Sequence, residues 1–579
     1  MYVRTTRGKP RRDGSKVEYV QLAHNVWDKA KGRSRVQVLH TFGRSDQLDA
    51  DAMRRLAGSL LRYLDGAPDA ADAGVGVGAG EGLRLLGSAP MGAAWLLDQL
   101  WSRLGFDAAI TQAISGRRLD PGVERVLFAL VAHRALDPGS KLAATRWVSE
   151  VAAVPGLEVL AEDAAYRAMD LLLEMEDELG RAVFWVSATL LDLEVDLLFV
   201  DSTSTCFERD TADVPVPRTA RGEATCHGDG DADYWVRWGS FRAYGHSKDH
   251  REDRPQVVIG MAVTRGGIPI RTWCWPGNTA DVTMLAQVRA DLIDWQLSRV
   301  VWVTDRGFAS AANRRLLRTG GGHYIQAEKL RSGDEATAAL ARAGRYATVA
   351  GNLRIKEVKP RPGDSVMSDR FIVCHNPERA DRDATVRTQL IAQLEREIAD
   401  SDALSATKRA ELRGRISTQP GLNRYLRVTP GGLLRVDAEA VRREAHLNGK
   451  WLLRCSDPKL SAEDIAAGYK QLLDVERGWR DLKTHLDLRP VHHRTEDRIR
   501  AHVLLCWLAL LLIRIAETRD GTRTWRRIRE HLDTLHLGVF TGNAGEVRQR
   551  TELTSEQRDI LTRLGISEPP RFLQIDTAG

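Results

Sequence analysis

Two apolar runs of strand length each end on an aspartate, and the pattern around them leaves few folds open. Leu197–Val200 leads into Asp201, and Arg299–Thr304 leads into Asp305. Between them lie Val257–Val263 and Ile268–Trp275, joined by Arg265-Gly266-Gly267, a strong hairpin signal. Periodicity predicts a helix over Asp281–Trp295, the strand into Asp305, a helix over Ala309–Leu317 and a strand over His323–Ala327. The order is strand, strand, strand, helix, strand, helix, strand.

That order matches an α/β, ribonuclease-H-like catalytic core, in which an antiparallel three-strand meander joins parallel strands flanked by helices. A third carboxylate is then expected from a helix after the last strand. Glu476 supplies it, on a helix expected over Ala466–Leu486, but only after an insertion domain spanning 331–460. The insert holds strand-like runs (Tyr346–Val358, Asp369–Val373), a charged helix Asp383–Ile398, and ends in Trp451–Arg454. At roughly 100° per residue, Tyr469, Leu472, Glu476 and Lys483 fall within about 60° on one face of a single helix. Three carboxylates from two strand ends and one helix make the oxygen-rich set that divalent metals need for phosphoryl transfer.

The flanking regions complete the organisation. Residues 1–64 read as an N-terminal β-rich and helical region, with strands at Val17–Leu22 and Ser34–Leu39 and a helix at Asp49–Leu64. The Gly/Ala/Asp-rich 65–84 reads as a linker. Residues 85–194 read as a helical region, a DNA-binding one if the family likeness described below holds, with helices at Trp95–Leu104, Gly122–Arg134, Ser140–Val151 and Ala165–Leu190. The core occupies 195–330 and 461–520, and 521–579 is a basic, helical C-terminal region.

Six cysteines are scattered without C-x2-C spacing, so neither a zinc site nor a disulfide framework is expected. The most apolar run, Val503–Ile513, is too short to span a bilayer and predicts a buried helix. A net charge of +6 is weak evidence for a nucleic-acid partner, because acids nearly balance bases.

Three stretches carry a family likeness. Asp201-Ser202-Thr203 fits D-x-T, Asp305-Arg306-Gly307-Phe308 fits D-x-G-[FY], and Tyr469, Glu476 and Lys483 fit Y-x2-R-x3-E-x6-K. With Gly245–Asp249, Pro276–Asp281 and Arg489–Arg500, the chain resembles the DDE transposases of bacterial insertion sequences, in the retroviral-integrase superfamily. Leu472 departs from the motif, standing where its Arg is expected. The resemblance implies Asp201, Asp305 and Glu476 as catalytic residues holding two Mg²⁺ ions, with Mn²⁺ as a substitute. It implies Lys483 and Tyr469 beside the scissile phosphate, and brings in Lys248, Arg480 and Trp451 as candidate DNA contacts. It also implies double-stranded DNA partners (the element's ends and a target), a homodimer in the synaptic complex, no membrane, and a cytoplasmic, nucleoid-associated bacterial protein.

Blander readings stay open. Asp201 alone could cap a strand end, Tyr469 could be a core tyrosine, and Lys483 a solvated cation. Lys248 and Asp249 could be structural, and Trp451 could serve packing. His492 and His493 point different ways in any regular element and read as hydrogen-bonded structural residues. A nuclease acting on other nucleic acids and a silent, transposase-derived DNA-binding protein are the competing functions.

Overall fold

The computed structural model describes residues 2–7, 18–28, 33–44, 83–115, 117, 120–190, 197–219, 222–225, 237–293, 295, 300–331, 333–360, 369–542 and 545–577. The chain divides into two compact units, Met1–Glu81 and Gly82–Gly579. In the first, Tyr2–Arg7, Glu18–Asp28 and Arg33–Arg44 pair in sequence order as an antiparallel sheet. The expected helix Asp49–Leu64 and the linker up to residue 82 lie outside the described residues.

The second unit is a mixed α/β body built on a nine-stranded sheet. Its strands are β1 (Leu197–Cys206), β2 (Gln256–Thr264), β3 (Pro269–Pro276), β4 (Val301–Thr304), β5 (His323–Glu328), β6 (Ala347–Ala350), β7 (Leu353–Val358), β8 (Arg370–His375) and β9 (Lys450–Cys455). Their spatial order is β6-β7-β8-β9-β5-β4-β1-β2-β3. The meander β1-β2-β3 is antiparallel, while β4 runs parallel to both β1 and β5. Alternation along β1 sends Leu197 and Phe199 into the main core and Leu198 and Val200 into a second core under helix Asp281–Ile293.

The strands of the insert extend the central sheet as β6 to β9, and β9, which holds Trp451–Arg454, pairs antiparallel with β5 and β8. Leu452 and Leu453 are buried on opposite faces of β9, one in each core, which is why the run reads only as a short strand of unknown partner. The charged helix runs Pro377–Ile398 and, with Ala406–Ser417 and Ala438–His446, closes a small core around Leu394, Ile416 and Leu422.

Helix Glu496–Asp520 crosses the main core. Its 25 residues exceed the apolar run that flagged it, so length alone would allow a membrane span; 94% of its apolar window is buried inside the protein. The expected helix Ala165–Leu190 is two, Glu162–Glu174 and Glu176–Leu190, broken where Met175 leaves helical ψ. As expected, Ser140 caps the next turn, its Oγ accepting from Ala143 N–H. Strands were missed at both ends of this unit. Arg84–Pro90 pairs with His536–Gly542, which pairs with Gly545–Arg550 and then Phe572–Thr577. In the sequence, Gly-Asn-Ala-Gly at 542–545 between short alternating runs is the hairpin signal for the pairing of Gly542 with Gly545.

Candidate active site

Asp201 and Asp305 stand side by side because β1 and β4 part company there. Parallel pairing runs from Val301 opposite Leu197 to Thr304 opposite Val200 and then stops. β4 ends, so Asp305 leads the chain away in a short helical turn, Arg306–Phe308. β1 continues to Cys206, held only by β2, so Asp201 is not a strand end as expected but the first residue without a parallel neighbour. Adjacent strands lie about 4.8 Å apart, which brings the two carboxylates onto one rim of the sheet.

Each carboxylate is oriented by one donor from the C-terminal helices. The Tyr469 hydroxyl donates to Asp305 Oδ1 at 2.8 Å. The Trp479 indole N–H donates to Asp201 Oδ2 at 3.2 Å. These donors sit on two helices, not one. Ala462–Lys470 ends at Gln471, whose N–H turns back to Gly468 O at 3.0 Å, and Leu472–Thr484 begins afresh. The break is local geometry: Gln471 stays in the right-handed helical region at φ −70° and ψ −9°, but its three-residue bond tightens the turn. The expectation of one continuous face from Tyr469 to Lys483 is therefore corrected. Leu472 packs partly buried against the core, as does Tyr469.

Burial pushes the Asp201 carboxyl up to about 6, with the charges of Asp305 and Asp281 adding to the rise and Lys248 opposing it. Burial, then the Asp305 carboxylate, raises the Tyr469 hydroxyl, so it remains a protonated donor at neutral pH.

Lys248 enters from the loop before β2. Its ammonium donates to Ser202 O at 2.8 Å and Ser202 Oγ at 2.7 Å, and lies 3.3 Å from Asp281 Oδ2 and 4.0 Å from Asp201 Oδ1. Ser202 Oγ in turn donates to Asp281 Oδ1 at 2.6 Å. The next residue, Asp249, takes the Lys483 ammonium at 2.9 and 3.0 Å and Arg489 Nη1 at 2.8 Å. Burial lowers the Lys483 pKa, with Asp249 pulling the other way.

The remaining candidates fall elsewhere. Glu476 is exposed, one turn before Trp479 on the same helix. Among the described residues no three His, Cys, Asp or Glu side chains are grouped so as to hold a metal ion, so Asp201 and Asp305 are gathered and Glu476 is not. Residues three apart on a helix have Cβ atoms about 5–6 Å from each other, so Glu476 is one turn from the residue that touches Asp201. Arg480 is exposed. Trp451 lies half-buried on β9, opposite Cys374 and packed on the main core, two strands from Asp305. Glu496 is held by Arg218 and Arg500, and burial lowers His493 to about 4, so His493 is a neutral ring beside Tyr166 and His502. The five described cysteines are free.

Sequence reasoning missed Trp479 and the role of Asp281. Trp479 stands one turn beyond Glu476 toward the sheet, so spacing was its signal; Asp281, far away in sequence, had none beyond its turn.

Residues 196–512 match the transposase DDE domain, and residues 4–72 match the N-terminal domain of IS1634 family transposases. No curated protein matches the chain. Among solved structures, the piggyBac transposase synaptic complex with hairpin DNA aligns over 76% of this chain and 79% of that one, at 10% identity and a TM-score of 0.33.

Proposed function

The chain belongs to the DDE transposase family, and from that premise we propose that it binds the terminal inverted repeats of an insertion sequence and catalyses Mg²⁺-dependent strand cleavage and strand transfer. The sheet order, with an antiparallel meander on one side of β1 and parallel strands on the other, supports a ribonuclease-H-like core for this chemistry. The observation that carries the proposal is the adjacent pair Asp201 and Asp305, each oriented by a donor, Tyr469 or Trp479, that stands in sequence on either side of Glu476.

Hard carboxylate oxygens suit Mg²⁺, or Mn²⁺ in its place. Asp201 and Asp305 would hold the ions from the sheet, and Glu476 would complete the set from its helix. Bound ions would activate water or a DNA 3′-OH and stabilise the departing 3′ oxygen. The protein's own work is to position the phosphate and offset charge. Tyr469 and Trp479 fix the carboxylates, each engaging one oxygen and leaving the other to a ligand. Lys248, a third exposed, offsets the negative charge beside the reacting phosphate. Arg480 and Trp451 would contact DNA, Trp451 by stacking on a displaced base. Synapsis of two ends calls for a homodimer acting at the nucleoid in the cytoplasm.

A nicking assay on DNA carrying the element's own ends tests this. Mg²⁺-dependent, end-specific cleavage by wild type and none by Asp305→Ala is the expected outcome. Cleavage indifferent to end sequence would favour a general nuclease; inactivity of wild type on correct ends would favour a silent DNA-binding protein.

A further inference from the structure

The adjacent residues Lys248 and Asp249 carry opposite charges to opposite walls of the site. Lys248 meets the acids of the sheet side, Asp201 and Asp281, and both oxygens of Ser202. Asp249 meets the cations of the helix side, Lys483 on Leu472–Thr484 and Arg489 just beyond it. The loop is also rooted: Lys248 N–H donates to Ser204 Oγ at 3.0 Å, and the buried Gln256 amide donates to His246 O and Gly277 O.

Exposure separates the two lysines. The Lys483 side chain is 10% exposed and both Asp249 oxygens engage its ammonium, whereas Lys248 is 33% exposed. A DNA phosphate reaches Lys248 more readily than Lys483, because reaching Lys483 means breaking the two bonds its ammonium makes to Asp249. Asp281 is fixed as well, by Ser202 and Lys248, and Gly307 packs so close to it that a Cβ there would come within 2.6 Å of its Oδ2.

We infer that Lys248-Asp249 is a two-sided clasp: Lys483 acts through Asp249 as a positioning residue that holds Lys248 against Asp201 and Asp281 and ties the glutamate helix to the strand rim. This rests on the metal-site reading above. Its consequence is a chain of dependence, Lys483 to Asp249 to Lys248, in which loosening either end frees the cation that balances the acidic rim.

The test is Mn²⁺ affinity of the full chain without DNA, read from free Mn²⁺ by electron paramagnetic resonance. Lys248→Met removes the internal cation and is expected to raise affinity about threefold or more. Asp249→Asn decides the matter, because the two explanations predict opposite signs. Losing a negative charge near the site lowers cation affinity by simple electrostatics; releasing Lys248 raises it. The clasp predicts a rise of about threefold, with no further rise in Lys248→Met/Asp249→Asn. Lys483→Met should follow Asp249→Asn, and Lys483→Arg should restore wild-type behaviour. Hydrogen exchange in the metal-free protein supplies a second readout, with faster exchange confined to residues 245–250 and 485–490 in Asp249→Asn. A fall in Mn²⁺ affinity with unchanged exchange would overturn the clasp. Indifference of Mn²⁺ binding to Asp305→Ala would instead overturn the metal-site reading, and the exchange result would still decide the clasp.

Discussion

The Tyr469 hydroxyl donates to Asp305 Oδ1 at 2.8 Å, across 164 residues of sequence. This bond fixes the second aspartate from a helix that follows the insert in the chain. Tyr469→Phe keeps the ring's packing and removes the donor. Partners that orient metal-binding carboxylates typically matter about 10–100-fold, and a single hydrogen bond about 1 kcal/mol. Nicking rates of Tyr469→Phe should fall by that factor while the melting temperature moves little. An unchanged rate would reduce Tyr469 to a core residue.

Trp479 plays the matching part for Asp201. Trp479→Phe preserves an apolar ring over the sheet and removes the indole N–H. A loss of activity comparable to that of Tyr469→Phe is expected, with Asp201 the group affected. Metal titration should show weakened Mn²⁺ binding in both variants, again by about 10–100-fold.

Gly307 has no room for a side chain, since a Cβ would stand 2.6 Å from Asp281 Oδ2. Asp281 cannot simply swing away, being held by Ser202 and Lys248. Gly307→Ala should cost about 1–3 kcal/mol in denaturant unfolding, the usual range for overpacking. The double variant Gly307→Ala/Asp281→Ala should recover part of that loss, because the clash disappears with the carboxylate.

Lys141 lies far along the sequence from this site, and burial followed by the Arg134 charge lowers its pKa to about 7. Its folded value is below its unfolded value of 10.5, so between pH 7 and 10.5 the unfolded chain holds more protons. Its contribution to stability therefore grows as pH rises through that window, by up to about 5 kcal/mol. Denaturation from pH 7 to 9 should show wild type gaining on Lys141→Met. Parallel curves would mean that the lysine is solvated.

The sequence made the strand order legible because each strand of the first half pairs with a neighbour close in the chain. Apolar length, Gly-rich turns and the two aspartates sufficed for β1 to β5. The role of β9 was not legible: its partners β5 and β8 lie across the insert, and nothing local in Trp451–Arg454 names them. The strand Arg84–Pro90 was hidden for the same reason, pairing with His536–Gly542 near the other end of the chain. In the site, motif spacing found Asp201, Asp305 and Tyr469. It mistook two helices for one, because periodicity survives a one-residue break at Gln471 that only its bond three residues back, to Gly468 O, reveals. Asp249 and Asp281 act through partners distant in sequence, which spacing does not encode.

The account turns on Glu476 joining Asp201 and Asp305 when substrate is present. The most direct measurement is a structure of the full chain with Mn²⁺ and a DNA end, with anomalous scattering locating the metal. The account predicts Mn²⁺ between Asp201 and Asp305, with the Glu476 carboxylate turned in to coordinate it. Metal bound elsewhere, or Glu476 still facing solvent with metal and DNA in place, would contradict it.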